Sequence, residues 1–255
     1  MAVVLQSRLL SQRGVRHAFS TREGGVSEGP FATLNTAVGP GDQPESVAEN
    51  LRRFSATMGV ETIRQTSQVH GSVVRHVQSG DDPKALIHEH ADALATRDMG
   101  LAIGVRTADC VPILVHDAET GAVAAIHAGW RGVACGIVPN AIGHLSHLAK
   151  GTDLVAAIGP CISVDAFEVG EEVVDAFESV LPVPEVIRRD LGAKPHIDLR
   201  LAVRAQLRSV GIADARIEDV PGCTFKDRTR FFSHRRDGAR SGRLLAAIVC
   251  PGKAS

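Results

Sequence analysis

Seven short apolar runs recur along the chain, at 15–20 (VRHAFS), 72–77 (SVVRHV), 101–105 (LAIGV), 111–116 (VPILVH), 122–128 (AVAAIHA), 153–158 (DLVAAI) and 243–249 (RLLAAIV). They are rich in β-branched residues and bounded by polar or glycine-containing stretches, so each reads as a strand. Other segments repeat at the helical period. In PESVAENLRRFSATMG (44–59) Val47, Leu51, Phe54 and Met58 fall on one face. In DLRLAVRAQLRSVG (198–211) Asp198 is placed to cap a helix, Leu199, Val203, Leu207 and Val210 form its stripe, and Gly211 ends it. A third helix is predicted over about 168–180, with Val173, Val174 and Phe177 inward. GVACGIVPNAIGHLSHLA (132–149) also has helical spacing, with Pro139 either beginning the helix or kinking it. Strands come both as hairpin neighbours and as helix-separated units, which predicts an α+β class: a mixed sheet with helices outside.

One pair of runs carries more than a fold. VPILVHD and AVAAIHA flank AETG, a polar stretch with Gly121 suited to a hairpin turn. A turn centred between Glu119 and Thr120 sets His127 opposite Pro112. Alternation then puts Cys110, two residues beyond Pro112, on the same side of the sheet as His127. Two features count against that pairing: a one-residue slip would separate the two side chains, and Pro112 has no N–H for the ladder. Directly after His127 the chain runs Ala-Gly-Trp-Arg-Gly, with its one tryptophan, Trp130. Small residues there allow close approach of backbone or ligand, as at the edge of a site.

Composition narrows the setting. The 255 residues carry a formal net charge of −1, which argues against wholesale binding to nucleic acid or a membrane surface. Ten arginines nevertheless fall between Arg200 and Arg243, leaving room for a local anion site. No apolar run approaches the roughly 20 residues of a membrane span. MAVVLQSRLLSQRG is interrupted by Arg8 too early to act as a secretory signal, so a cytoplasmic location is expected. The 5 cysteines contain no C-x-x-C pair, which speaks against a disulfide framework and a zinc knuckle alike. Any metal must draw ligands from distant parts of the chain. His70 is one candidate; His88 with His90 and His144 with His147 are local pairs that more often lie on solvated faces. Cys161 has no neighbouring histidine and reads as a buried thiol.

The segments TREGGVSEGPFATLN (21–35), SQVHG (67–71), ADALATRDMGLAIGVRTADCVPILVHD (91–117), AAIHAGWRG (124–132), IGPCISVDAFEVGEEV (158–173), HIDLRLAVRAQL (196–207) and CTFKDRTRFFSHRRDGARSGR (223–243) resemble the YfiH-like, laccase-domain family. Its members were once labelled polyphenol oxidases and are now described as purine nucleoside enzymes. The likeness runs in order from about residue 15 to 249. It implies one domain over 1–255 with α/β/β/α layers and mixed sheets. It also implies one metal, usually zinc with copper as the alternative, held by His70, Cys110 and His127. The implied activities are phosphorolysis of adenosine, inosine and methylthioadenosine, together with adenosine deamination. Some bacterial members are linked instead to peptidoglycan editing, the removal of a wrong amino acid from a UDP-muramyl precursor. Where some members carry tyrosine this chain has His234, and it has no tyrosine at all.

A three-ligand zinc with an open position lowers the pKa of bound water, which serves deamination and amide hydrolysis alike. Asp109, beside Cys110, is a candidate proton shuttle, or else a cap on backbone amides at the strand entry. Phosphorolysis needs a phosphate site, for which Arg131, Arg22 and Arg235 are candidates; a surface ion pair is the ordinary alternative, for Arg235–Arg236 with Asp237 or Glu218. Asn35 and Gln68 could bond a purine or ribose, though loop capping is the usual work of such residues. Trp130 either walls the pocket or fills the core. Of the 11 histidines, H-x-H occurs once, at His88–His90, and H-C-H is absent, a poor match to a multicopper oxidase. A metal-bearing module without turnover would normally close its zinc with a fourth protein ligand. The expected partners are a purine nucleoside and phosphate, with no nucleic acid and no membrane, acting on a monomer or weak homo-oligomer.

Overall fold

The computed structural model describes residues 1–38, 41–149, 153–181 and 183–251. In chain order its strands are β1 (Val4–Leu5), β2 (His17–Ser20), β3 (Ile63–Arg64), β4 (Val74–His76), β5 (Ala93–Thr96), β6 (Ala102–Thr107), β7 (Val111–Asp117), β8 (Val123–Ala128), β9 (Leu154–Ile158), β10 (Ile187–Arg188), β11 (His196–Ile197), β12 (Ile217–Asp219) and β13 (Leu244–Val249). The helices are α1 (Arg8–Gln12), α2 (Pro44–Thr57), α3 (Pro83–Leu86), α4 (Trp130–Ala134), α5 (Ile137–Ala149), α6 (Glu171–Glu178), α7 (Leu199–Ser209) and α8 (His234–Asp237). One sheet runs β1-β2-β13-β6-β3 and the other β12-β9-β7-β8-β5-β4, with β10 and β11 as a small separate ribbon. The pairs β3–β6, β4–β5 and β9–β12 are parallel and the rest antiparallel, so both large sheets are mixed.

Alternation along the strands sorts their side chains into three cores. Ile103, Val105, Ala246 and Ile248 of the first sheet meet Leu94, Leu114, Val123, Ala125, Val155 and Ala157 of the second. The opposite face of the first sheet packs Ala102, Leu245 and Ala247 against Phe54 and Met58 at the α2 end. The opposite face of the second packs Ile113, Val115, Ala124 and Ile126 against α4, α5, α6 and α7. The result is the expected α/β/β/α stack. Strands buried on both faces read as continuous apolar runs rather than alternating ones. At about 1.5–3 kcal/mol for each large side chain removed from water, these interfaces dominate the stability of the fold.

The β7–β8 hairpin has the predicted register, with Pro112 opposite His127. Asp117 organises the turn: its Oδ1 accepts from Glu119 N and its Oδ2 from Thr120 Oγ1, while Gly121 takes a φ of +81°. Pro112 does no harm because its backbone faces the other neighbour. Gly159 N donates to Pro112 O on the β9 side, and His127 N donates to Asp92 O on the β5 side. The missing N–H therefore falls outside the β7–β8 ladder.

The single helix expected over 132–149 is two. α4 starts at Trp130 and stops at Ala134, the chain turns at Gly136 with φ +77°, and α5 begins at Ile137. Pro139 sits in the first turn of α5, where its absent N–H has no helical partner to lose. β1, β3, β5, β10, β11 and β12 are additions to the predicted set. Among the described residues no helix is long and apolar enough to cross a membrane.

A His–Cys–His cluster at the mouth of the two sheets

Cys110 and His127 continue the inter-sheet side of β7 and β8 past the end of the apolar core. His70 arrives from the loop before β4. One potential ligand atom from each lies within 4.8 Å of the others. His70 Nε2 is 3.8 Å from Cys110 Sγ, and the two imidazoles meet edge-on with centroids 4.9 Å apart. Ligands bound to a tetrahedral zinc stand roughly 3.5 Å from one another, so this donor set fits such an ion with little movement. The backbone keeps the space clear. A Cβ on Gly129 would come within 2.7 Å of His70 Cδ2 and 3.0 Å of Cys110 Sγ.

Asp92, fully buried at the start of β5, reaches this cluster from behind. Its Oδ1 accepts from His70 N (2.9 Å) and His127 Nδ1 (2.8 Å), and its Oδ2 from Val69 N (3.1 Å) and Gly71 N (2.8 Å). Burial works against its charge, but the bonds from His127 and Gly71 outweigh that and hold the carboxyl below its ordinary range. Burial likewise opposes ionisation of Cys110, yet the charge of His127 and hydrogen bonds from His127 and His70 bring the thiol down to about 6. His127 is raised to about 9 against its own burial, through the Cys110 thiolate and Asp92. The two shifts reinforce each other, each favouring the charged form of its group, thiolate for Cys110 and imidazolium for His127.

The cluster opens into a cleft of about 630 Å³. Arg106, Arg131, Arg235 and Arg243 line it, against one carboxylate, Asp109. Among the described residues none of these four guanidinium groups makes an ion pair. Arg131 lies over the Trp130 ring (4.3 Å to the centroid) and Arg235 over Phe167 (5.0 Å). Burial, reinforced by Arg243, lowers the pKa of Arg106; burial also lowers that of Arg243, partly offset by Cys110 and Asp109. Cations in this condition favour an anionic guest.

The sequence candidates divide. Gln68, Asp109, Arg131 and Arg235 line the cleft with the three cluster residues. Gln68 spends its amide on the backbone of Arg106, donating to its carbonyl and accepting from its N–H. Asp109, at φ +90°, accepts from Thr224 Oγ1 and from Arg235 N, an amide of α8 rather than of the strand entry. Arg22 and Asn35 are not among the lining residues. The Arg22 guanidinium bonds the carbonyls of Ala32, Arg228 and Pro30, and the Asn35 amide ties Ala37, Asp42 and Arg243 together. Trp130 does both of its expected jobs, packing on the helical core and walling the cleft. Arg236, not Arg235, pairs with Asp237 at 2.7 Å, and Glu218 instead accepts from Ser7, Arg8 and Leu9 at the start of α1. Cys161 is buried, and burial pushes its thiol up to about 11. Neither the His88–His90 nor the His144–His147 pair joins a three-ligand group among the described residues.

Sequence reasoning misses Asp92, Arg106 and Arg243. Each leaves a faint signal: a charge set directly into an apolar strand or at its threshold. Nothing in the one-dimensional pattern distinguishes such a charge from an ordinary strand end.

Fold and cluster together define a four-layer α/β protein with one candidate metal centre in an arginine-lined cleft. The family described as multi-copper polyphenol oxidoreductase laccase matches residues 16–251. A purine nucleoside phosphorylase of Bacteroides thetaiotaomicron is 37% identical over 253 residues, covering 94% of this chain and 93% of that protein. Adenosine deaminase RL5, from an unknown prokaryotic organism, is 37% identical over 91% of this chain and 92% of its own length. The crystal structure of YlmD from Geobacillus stearothermophilus superposes with a TM-score of 0.88 at 30% identity, covering 100% of both chains. The chain belongs to this laccase-domain family, the one its motifs resemble.

Proposed function

We propose that the protein is a zinc-dependent purine nucleoside phosphorylase acting on adenosine, inosine and methylthioadenosine, with adenosine deaminase activity. The observation that carries this reading is the meeting, in one cleft, of the His70–Cys110–His127 cluster with arginines that have no carboxylate partner. Phosphorolysis joins a phosphate oxygen to the ribose C1′ while the bond to the purine nitrogen breaks and the base takes up a proton. The phosphate needs fixed guanidinium donors in a site screened from bulk water, and Arg106 and Arg243 are best placed for that, with Arg131 and Arg235 nearer the opening. The apolar side chains of Trp130, Ile162, Phe167 and Leu199 offer a wall for a purine.

His70, Cys110 and His127 would hold the metal, whose contribution when bound is Lewis-acid polarisation of a reacting oxygen. Asp109 is the one carboxylate on the cleft wall among the described residues and the proton carrier in the deamination reading. The names of the relatives support both activities. One three-ligand group among the described residues suits a single ion better than the several coppers of an oxidase.

Purified protein incubated with inosine and phosphate should release hypoxanthine and ribose 1-phosphate in equal amounts; adenosine without phosphate should give inosine and ammonia. Elemental analysis should find zinc, lost in His70→Ala, Cys110→Ala and His127→Ala. Absence of ribose 1-phosphate, with serine released from UDP-muramyl-serine, would replace this reading by the editing hydrolase.

A further inference from the structure

We infer that Asp92 is the positioning residue of the centre, a single carboxylate that orients both histidine ligands. The inference rests on the reading of His70, Cys110 and His127 as a metal site. It starts from the backbone. His70 is one of two non-glycine residues with positive φ among the described residues, at +60°. That left-handed step turns the N–H groups of Val69, His70 and Gly71 inward, so that three successive amides converge on the Asp92 carboxylate. Such a nest of N–H groups is an anion site in its own right, and here the anion is a side chain of the protein. The conformation that delivers the His70 ring to the cluster is thus held by Asp92.

The fourth bond acts on the other histidine. An ionised carboxylate can only accept, so the proton of this pair sits on His127 Nδ1, and Nε2 is the nitrogen left to face the cluster. The backbone reinforces the link, because His127 N donates to Asp92 O. Each carboxylate oxygen therefore takes two donors. Oδ1 spans the two histidines, and Oδ2 closes the loop on either side of His70. An asparagine has one acceptor oxygen for four donors, and its NH₂ would face N–H groups or offer His127 Nδ1 a proton, favouring the wrong tautomer.

The test is metal affinity, measured by chelator competition with zinc on wild type and Asp92→Asn, each confirmed folded by circular dichroism. Asp92→Asn should bind zinc about 10- to 100-fold more weakly. Loaded with cobalt(II), it should also show altered thiolate charge-transfer and ligand-field bands, which a residue that merely supports the fold would leave unchanged. If Asp92→Asn does not fold, Asp92→Glu stands in its place with the same expectation, because the added methylene carries the carboxylate out of register with the nest. Unchanged affinity and spectrum in the folded variant overturn the inference and leave the metal site standing. A wild type that binds neither ion overturns the site, and the inference with it.

Discussion

Gly129→Ala tests the cluster geometry with one methyl group. Gly129 has φ −76° and ψ 164°, a conformation open to any residue, so its replacement carries no backbone strain. In such a position alanine ordinarily stabilises a protein by about 0.4–1 kcal/mol through the unfolded chain. Here the new Cβ would lie 2.7 Å from His70 Cδ2 and 3.0 Å from Cys110 Sγ, both well inside contact distance. Overpacking of this kind costs about 1–3 kcal/mol when the neighbours cannot move. His70 has room to move, being exposed at the cleft mouth, whereas Cys110 is half-buried and directly precedes β7. The metal-free fold should therefore hold, while the cost appears when His70 is called back to ligate. An energy of 1–3 kcal/mol corresponds to about a 5- to 150-fold loss of zinc affinity. Chelator competition measures that loss, and melting curves with and without zinc check that the metal-free protein keeps its stability. Wild-type zinc affinity in Gly129→Ala would refute the packed three-ligand geometry.

Three further outcomes rest on the same contacts. Between pH 7 and 9 the metal-free pair is thiolate and imidazolium, with Cys110 down to about 6 and His127 up to about 9. A metal takes His127 without its proton, so uptake should release about one proton per ion, with apparent affinity rising as pH climbs towards 9 and levelling above it; calorimetry in buffers of different ionisation heat counts that proton, and a count of zero refutes the assignment. Iodoacetamide at pH 7.5 should label Cys110 in metal-free protein and spare it after zinc loading, with Cys161 unlabelled in both, as read by peptide mass spectrometry. Arg22→Ala removes bonds to three carbonyls and a stack on Phe232, and should cost about 1–3 kcal/mol, seen as a lower melting temperature. The KM for phosphate should stay put; a raised KM at unchanged stability would return Arg22 to the site.

Much of the fold is legible in the chain, and the rest is hidden for physical reasons. The β7–β8 register can be read because a polar tetrad flanked by two apolar runs leaves few ways to pair them, and Pro112 opposite His127 bears it out. The layers come from strands without a polar face. β5 is hidden in ADALAT, whose alanines carry little strand propensity; it is a strand because Leu94 packs between the sheets. The break at Gly136 is masked by a continuous helical stripe, and only the turn itself shows that Pro139 opens α5. His70 lies forty residues before Cys110, and no local pattern joins them; the motif resemblance alone proposes the trio. Arg22 and Asn35 show the opposite error. Polar side chains in a glycine-rich loop look like ligand contacts, yet their donors go to the loop's own carbonyls and neighbours, the usual fate of such groups.

The two proposed reactions make different demands on one cleft. Deamination puts a water oxygen on purine C6 and releases ammonia; phosphorolysis puts a phosphate oxygen on the ribose C1′ and releases the base. C6 and C1′ lie on opposite sides of the purine ring system, so a fixed cluster cannot adjoin both in one pose. Arg243 lines the cleft together with Cys110 and Asp109, so a phosphate held there, as proposed, would stand against the cluster. Bound phosphate would then draw the ribose end inward and exclude the pose in which the six-membered ring lies there. Raising phosphate over wild type should shift adenosine from inosine and ammonia towards adenine and ribose 1-phosphate. In Arg243→Ala the phosphate KM should rise about tenfold or more, since the proposed charge-assisted contact of this half-buried guanidinium would be lost. Ammonia release should persist there and respond only weakly to phosphate. Ammonia release from wild type that ignores phosphate, while ribose 1-phosphate accumulates, would show that the two reactions do not compete for one pose, and the arginines would have to be moved away from the cluster.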